Sequence, residues 1–330
     1  MARRREWTRE TLAEGVRGGD KRALARAISL VENSDPLAYA LVADLYPETG
    51  RAYAVGITGP PGVGKSSLIS ALVAHVRAQE RTVGVISVDP SSPFSHGALL
   101  GDRIRLADHF LDPGVFIRSM GTRGHLGGLA EAALQALLVL DAAGKELVFL
   151  ETVGTGQSEV EVIGTADTVV LVLMPGSGDS VQALKAGIME IPDVIAINKM
   201  DHPAAKTMLS EVRSILSLDR DRAWRPSIVL TEATRSENVP ELWTRVEEHR
   251  RFLEESGQLE QRRREHLAGE VFAVASAHAK RHLEQAVADN PELRRLLDEV
   301  QRRELDPLSA VRDILERVFR IDDRNGARPS

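Results

Sequence analysis

Gly59-Pro60-Pro61-Gly62-Val63-Gly64-Lys65-Ser66-Ser67 decides how the rest of this chain is read. Its spacing is G-x-x-x-x-G-K-[ST]; a short apolar run at 53–58 precedes it and a helical pattern through Val76 follows. Strand, glycine loop and helix, in that order, form a cradle for phosphate. The glycines let successive backbone N–H groups turn inward around phosphate oxygens, and the helix N-terminus adds the positive end of its dipole. Lys65 is expected to neutralise the β- and γ-phosphates and Ser66 to ligate magnesium, so Gly59 to Ser67 is a candidate nucleotide-binding loop. A glycine turn that merely starts a helix is the alternative, and the strand before it argues against that.

Outward from this loop, short apolar runs recur at 53–58, 82–88, 114–118, 146–151, 167–174, 193–198 and 227–231, separated by longer helical stretches. This alternation predicts an α/β fold with a mostly parallel sheet, whose ligands gather where the strands end. Residues 1–48 are helix-forming and charge-laced, with an apolar stripe at Leu24, Ala25, Ile28, Leu30 and Val31, and read as an N-terminal helical extension. Residues 49–250 form the nucleotide-binding domain, and 251–330 read as a charged helical arm with breaks at Asn290-Pro291 and Asp306-Pro307. That arm either folds back on the main domain or supplies a dimer interface.

The chain has 330 residues, 43% of them apolar, and a formal net charge of −6 from 42 basic and 48 acidic residues, which implies no nucleic-acid partner. Without any cysteine there is no disulfide framework and no thiolate metal site. Arg3, Arg4 and Arg5 are followed by Glu6, Glu10 and Glu14 rather than an apolar core, and no run is long enough for a bilayer. A cytoplasmic protein is the expectation.

Magnesium and γ-phosphate need oxygen ligands at other strand ends. Asp89 closes one predicted strand, and Glu151 opens Glu151-Thr152-Val153-Gly154, where the Gly154 amide suits the γ-phosphate and the carboxylate a magnesium-bound water. A helix cap at Asp89 and a surface acid at Glu151 are the blander readings; the phosphate loop favours function. The glycine- and serine-rich segment 91–128 reads as a switch loop, with Asp102 and Arg103 the residues to watch or else an exposed ion pair. No residue stands out for orienting the attacking water; Gln157 and Glu159 are candidates.

Base selection points to Asn198-Lys199-Met200-Asp201, at the end of the run 193–198. A carboxylate at Asp201 pairs with guanine N1–H and its 2-amino group, a donor pair adenine does not offer. Thr231-Glu232-Ala233, after the next strand, would add a weaker backbone contact to the base. GTP and GDP are thus the expected nucleotides, with Mg2+.

Together, Gly59–Ser67, Val88-Asp89-Pro90-Ser91-Ser92, Leu100-Gly101-Asp102, the run Glu151–Glu159, Pro175-Gly176-Ser177-Gly178-Asp179 and Asn198–Asp201 closely resemble the MeaB/ArgK family. These are GTPase chaperones of adenosylcobalamin-dependent acyl-CoA mutases. The likeness is dense over about residues 50–235 and looser at both helical ends. It implies a P-loop NTPase three-layer sandwich of the SIMIBI class, a C-terminal dimerisation arm and a homodimer. It further implies GTP hydrolysis coupled to cofactor loading and to protection or reactivation of methylmalonyl-CoA mutase or a close relative. By the same resemblance Lys65 is the phosphate lysine, Asp89, Asp102 and Glu151 are the magnesium and switch acids, and Asp179, Gln182 and Lys185 lie in a partner-responsive switch. Departures fall at 118–128 and at Thr231-Glu232-Ala233, the first of which leaves the client open among related mutases.

Rival readings are a nickel-inserting GTPase and a nucleotide-driven transport or kinase subunit. The first needs metal ligands, which zero cysteines and nine scattered histidines do not offer; the second is opposed by Asn198–Asp201.

Overall fold

A computed structural model describes residues 7–89, 106–121, 128–152, 163–176, 192–218 and 223–319. Seven strands form one sheet in the order β3-β2-β4-β1-β5-β6-β7. They are β1 (Tyr53–Thr58), β2 (Val83–Asp89), β3 (Val115–Gly121), β4 (Leu147–Thr152), β5 (Thr168–Leu173), β6 (Val194–Ile197) and β7 (Ser227–Leu230). Every pairing is parallel. Each of the seven apolar runs read as a strand is therefore one, with ends shifted by a residue or a few. All carboxyl ends lie at one edge of the sheet, so the loops after β1, β6 and β7 share that edge with the ends of β2, β4 and β5.

Strands β1, β4, β5 and β6 are buried along nearly their whole length, which is why they read as mostly apolar runs rather than as alternation. On one face α4 (Lys65–Arg77) and α7 (Val239–Glu255) bury Leu68, Leu72, Val76, Leu242 and Trp243 against Val55, Ile57, Val85 and Phe149. The other face is covered by α1 (Arg9–Arg17), α2 (Lys21–Glu32), α3 (Pro36–Leu45) and α5 (Gly128–Ala142). They bury Leu24, Ile28, Leu41, Val139 and Leu140 against Ile86, Val88, Val148 and Leu150. Further along, α6 (Ala205–Leu216) packs Met208 and Val212 on Leu171, Leu173, Ile195 and Ile197. Three layers result.

The caps of the N-terminal helices are local. Thr8 and Thr11 form a reciprocal capping box on α1, Asp20 caps α2 through Arg22 N and Ala23 N, and Asp35 caps α3 ahead of Pro36 at the first helical position.

At the edge of the sheet opposite the phosphate loop, helix α8 (Gln258–Asp289) begins with two arginines that grip strand starts. Arg262 makes a forked bond to Asp193 (3.0 and 3.1 Å), and Arg263 makes one to Asp167 (both 2.7 Å) while also donating to the carbonyls of Gly50 and Ala52. Behind them runs a buried relay. Tyr53 OH donates to Thr168, Thr168 to His249 Nδ1 (2.8 Å), and His249 Nε2 faces Asp193 at 3.3 Å. Burial lowers the His249 pKa to about 4, so the ring is neutral and can accept from Thr168.

The chain divides into compact units Met1–Glu270 and Val271–Ser330. In the second, α9 (Pro291–Gln301) starts behind its cap Asn290 and α10 (Pro307–Phe319) starts at Pro307, where the sequence places its breaks. Among the described residues of this unit, Leu293, Leu296 and Ala310 are the buried apolar side chains, and Phe319 lies 5.8 Å from the ring of His282.

Candidate functional site: the phosphate loop and the base loops

Backbone conformation shapes the phosphate loop. Gly59, Gly62 and Gly64 have φ of 144°, 78° and 96°, where only glycine is comfortable. Gly59 also lies so close to β5 that a Cβ would come within 2.1 Å of the Val172 carbonyl oxygen. Helix α4 starts directly after Gly64 with no side-chain cap, so the amides of its first turn are not claimed by a capping side chain and suit an anion. Lys65 is 5% exposed, and its Nζ donates to the carbonyls of Gly59 (2.7 Å) and Pro60 (3.0 Å), which keeps the ammonium beside the loop. Pro61 is exposed at the rim, Val63 is buried in the core beneath, and Ser67 is half-buried.

Beside the loop stands the carboxylate of Glu151, 1% exposed at the end of β4. Its Oε1 accepts from Ser66 Oγ at 2.7 Å and its Oε2 from Ser87 Oγ at 2.9 Å. Strand order explains this meeting. With β4 between β1 and β2, Glu151 lies level with Ile57 on one side and with Ser87 on the other. A hydroxyl on a buried carboxylate is a hard-oxygen pair, which fits Mg2+, an ion that takes few protein ligands and retains water. Asp89 ends β2 in register with Gly121, so its backbone sits at the same edge; its side chain lies outside the described residues. Asp102, Gly154, Gln157, Glu159, Asp179, Gln182 and Lys185 also lie outside the described residues.

The base loops are tied to the phosphate loop. Asn198 is 2% exposed; its Nδ2 donates to the Val63 carbonyl at 2.8 Å, and its Oδ1 accepts from Thr231 Oγ1 (3.3 Å) and Ala233 N (3.1 Å). Lys199 takes a left-handed φ of 57°, and its Nζ donates to the Gly62 carbonyl at 3.0 Å. Such strain in a non-glycine residue is maintained where the surroundings demand it. Asp201 is exposed two residues later, available to a ligand. Glu232 is 6% exposed and turned back on its own loop, where it accepts from Thr234 Oγ1 at 2.6 Å, while its amide bonds the Glu237 carbonyl at 3.1 Å. Its side chain is thus spent on holding the loop.

Gly59 to Ser67, Glu151, Asn198, Lys199, Asp201 and Thr231 to Ala233 therefore share one edge of the sheet. Ser87 was not singled out in the sequence. Its signal is register: it lies two residues before Asp89, on the same face as Val83 and Val85.

A family model described as methylmalonyl Co-A mutase-associated GTPase MeaB matches residues 24–290. A Pyrococcus abyssi protein named as a GTPase is 47% identical over 314 residues, covering 94% of this chain and 97% of that relative. The Caenorhabditis elegans protein named methylmalonic aciduria type A homolog, mitochondrial, is 35% identical over 299 residues, 82% of this chain and 75% of the relative. Among solved structures, one described as LAO/AO transport system kinase matches with a TM-score of 0.71 and 27% identity, covering 96% of this chain and 99% of its own. The glycine loop and the Asn198 loop are bonded together at the edge of a parallel sheet, and with the match over residues 24–290 the chain belongs to the MeaB family of methylmalonyl Co-A mutase-associated GTPases.

Proposed function

We propose that this GTPase is a chaperone of an adenosylcobalamin-dependent acyl-CoA mutase, methylmalonyl-CoA mutase or a close relative. In this role it couples GTP binding and hydrolysis to loading of the cofactor and to protection or reactivation of the mutase. The bond from Asn198 to the Val63 carbonyl carries the switch part of the proposal, because it makes the base loop and the phosphate loop a single unit. The mutase part rests on the family's description and on the name of the nematode relative.

In this reading the first-turn amides of α4 and Lys65 hold the β- and γ-phosphates, and Asp201 accepts from the guanine edge. Ser66, Asp89, Asp102 and Glu151 would hold Mg2+ directly or through water, and the ion would supply positive charge beside the phosphate oxygens. Gly154 donates to the γ-phosphate. Asp179, Gln182 and Lys185 respond to the client. They belong to the segment between Gly176, which follows β5, and Asp193, which precedes β6. The protein works in the cytoplasm as a homodimer formed through its C-terminal helices, where Val271 and Phe272 expose 67% and 73% of their surface. Sedimentation of a monomer at micromolar concentration would exclude the dimer.

The test is a mutase protection assay. Methylmalonyl-CoA mutase turning over with its cofactor is expected to lose activity more slowly when this protein and GTP are present than with protein and GDP. Equal decay in both mixtures contradicts the chaperone role. A kinase, as the solved relative is described, would instead leave the γ-phosphate on an acceptor rather than release it.

A further inference from the structure

We infer that Ser87 is a positioning residue for the carboxylate of Glu151, and through it sets how tightly this chain holds the magnesium that accompanies GTP. The inference rests on the proposed role of Glu151 as a magnesium-site acid and adds a residue to it.

The geometry comes from strand register. Ser87 and Glu151 are direct partners on the parallel strands β2 and β4. Ser87 is 0% exposed and shares its face of β2 with Val83 and Val85, both in the core under α4. A hydroxyl there costs desolvation unless it is bonded, and its proton goes to Glu151 Oε2 at 2.9 Å. Oε1 of the same carboxylate accepts from Ser66, the loop hydroxyl suited to the metal, at 2.7 Å. The carboxylate is thus gripped from both sides, one oxygen by the phosphate loop and one by β2.

Two consequences follow from that grip. The carboxylate plane is fixed by a hydroxyl that would not itself touch the metal, so Oε1 is already turned toward the side where Ser66 presents its oxygen. The second consequence concerns the next step along β2. Ser87 is two residues before Asp89 in the chain, so β2 carries both the hydroxyl that orients one acid and the residue proposed as the second acid. Partners that orient a metal-binding group, without touching the metal, typically change metal affinity by about 10–100-fold when removed.

Release of a fluorescent GTP analogue from the full chain, followed across a range of Mg2+ concentrations, reads this without any turnover. Ser87→Thr and Ser87→Val have nearly the same shape and differ in a hydroxyl against a methyl. Ser87→Val is expected to raise the Mg2+ concentration that half-slows release by roughly tenfold, and Ser87→Thr to stay within about twofold of wild type. Should either larger side chain prevent folding, Ser87→Ala against wild type gives the same comparison, with the expectation set for Ser87→Val. Glu151→Gln is the control: if it leaves the Mg2+ dependence unchanged, the underlying reading of Glu151 fails. If Glu151→Gln shifts it while Ser87→Val and Ser87→Thr behave alike, the inference about Ser87 is overturned. A lowered melting temperature with no change in Mg2+ dependence also overturns it, since it makes Ser87 only a packed core residue.

Discussion

In the proposed reading Asp201 bears the choice of base, while Asn198 holds the loop around it through its bonds to Val63, Thr231 and Ala233. Asn198 is buried and bonded on both ends of its amide, whereas Asp201 is exposed, so the two residues of one tetrapeptide have separable effects. Asp201→Asn keeps the loop and removes the acceptor pair for guanine. It is expected to weaken GTP binding by on the order of a hundredfold or more and to erase the preference over xanthosine triphosphate, which competition binding measures. Retained preference for GTP would move base selection elsewhere. At this scale the sequence was most informative. The glycine positions, Lys65, Ser66 and the base tetrapeptide are short-range patterns, and their chemistry is carried by residue type and spacing. Ser87 was not legible in that way, because its role depends on which strand lies beside β2. A pattern read along the chain does not reveal that β4 inserts between β1 and β2.

Among the elements, α8 is rooted by charge. Arg263 is 22% exposed and Asp167 only 5%, and Asp167 also accepts from the amide of Ala54 at the start of β1. Arg263→Ala leaves a buried carboxylate with fewer partners and is expected to cost about 2 kcal/mol or more in denaturant unfolding, an amount reduced from the fully buried case by the arginine's partial exposure. An unchanged midpoint and slope would make this contact ornamental. The neighbouring His249 gives the fold an acid-sensitive point. Its pKa falls from 6.5 in an open chain to about 4, mainly through burial. Below pH 6.5 the unfolded chain takes up a proton that the folded one refuses, so stability is lost as pH falls from 6.5 toward 4, by on the order of 3 kcal/mol, with no further loss from this group below that. Melting temperatures across this range are expected to fall less steeply for His249→Gln than for wild type. Equal slopes would show that His249 is not the titrating group. Neither the arginine clasps nor this relay could be read from the sequence. Asp167 and Arg263 are far apart along the chain, and a histidine within a charged helix gives no sign of its burial.

For the molecule as a whole, the strand and helix pattern was legible because apolar runs, glycines and prolines act locally. The seven strands and the starts of α9 and α10 at Pro291 and Pro307 follow directly from that signal. What covers the sheet did not. The N-terminal residues read as an extension, yet Leu24, Ile28 and Leu41 share one core cluster with Val148 and Leu150 of β4, since an amphipathic helix announces its apolar face but not the surface that face will meet. The consequence is that α1 to α3 are part of the layer behind the nucleotide edge.

The most direct measurement is phosphate release from GTP, with ATP as control, by the full chain alone and with an adenosylcobalamin-dependent acyl-CoA mutase freed of its cofactor. Slow GTP turnover that the mutase accelerates, with ATP left nearly untouched, is the predicted result. Turnover of ATP in preference to GTP would contradict the base site, and GTP turnover indifferent to every such mutase would contradict the proposed partnership.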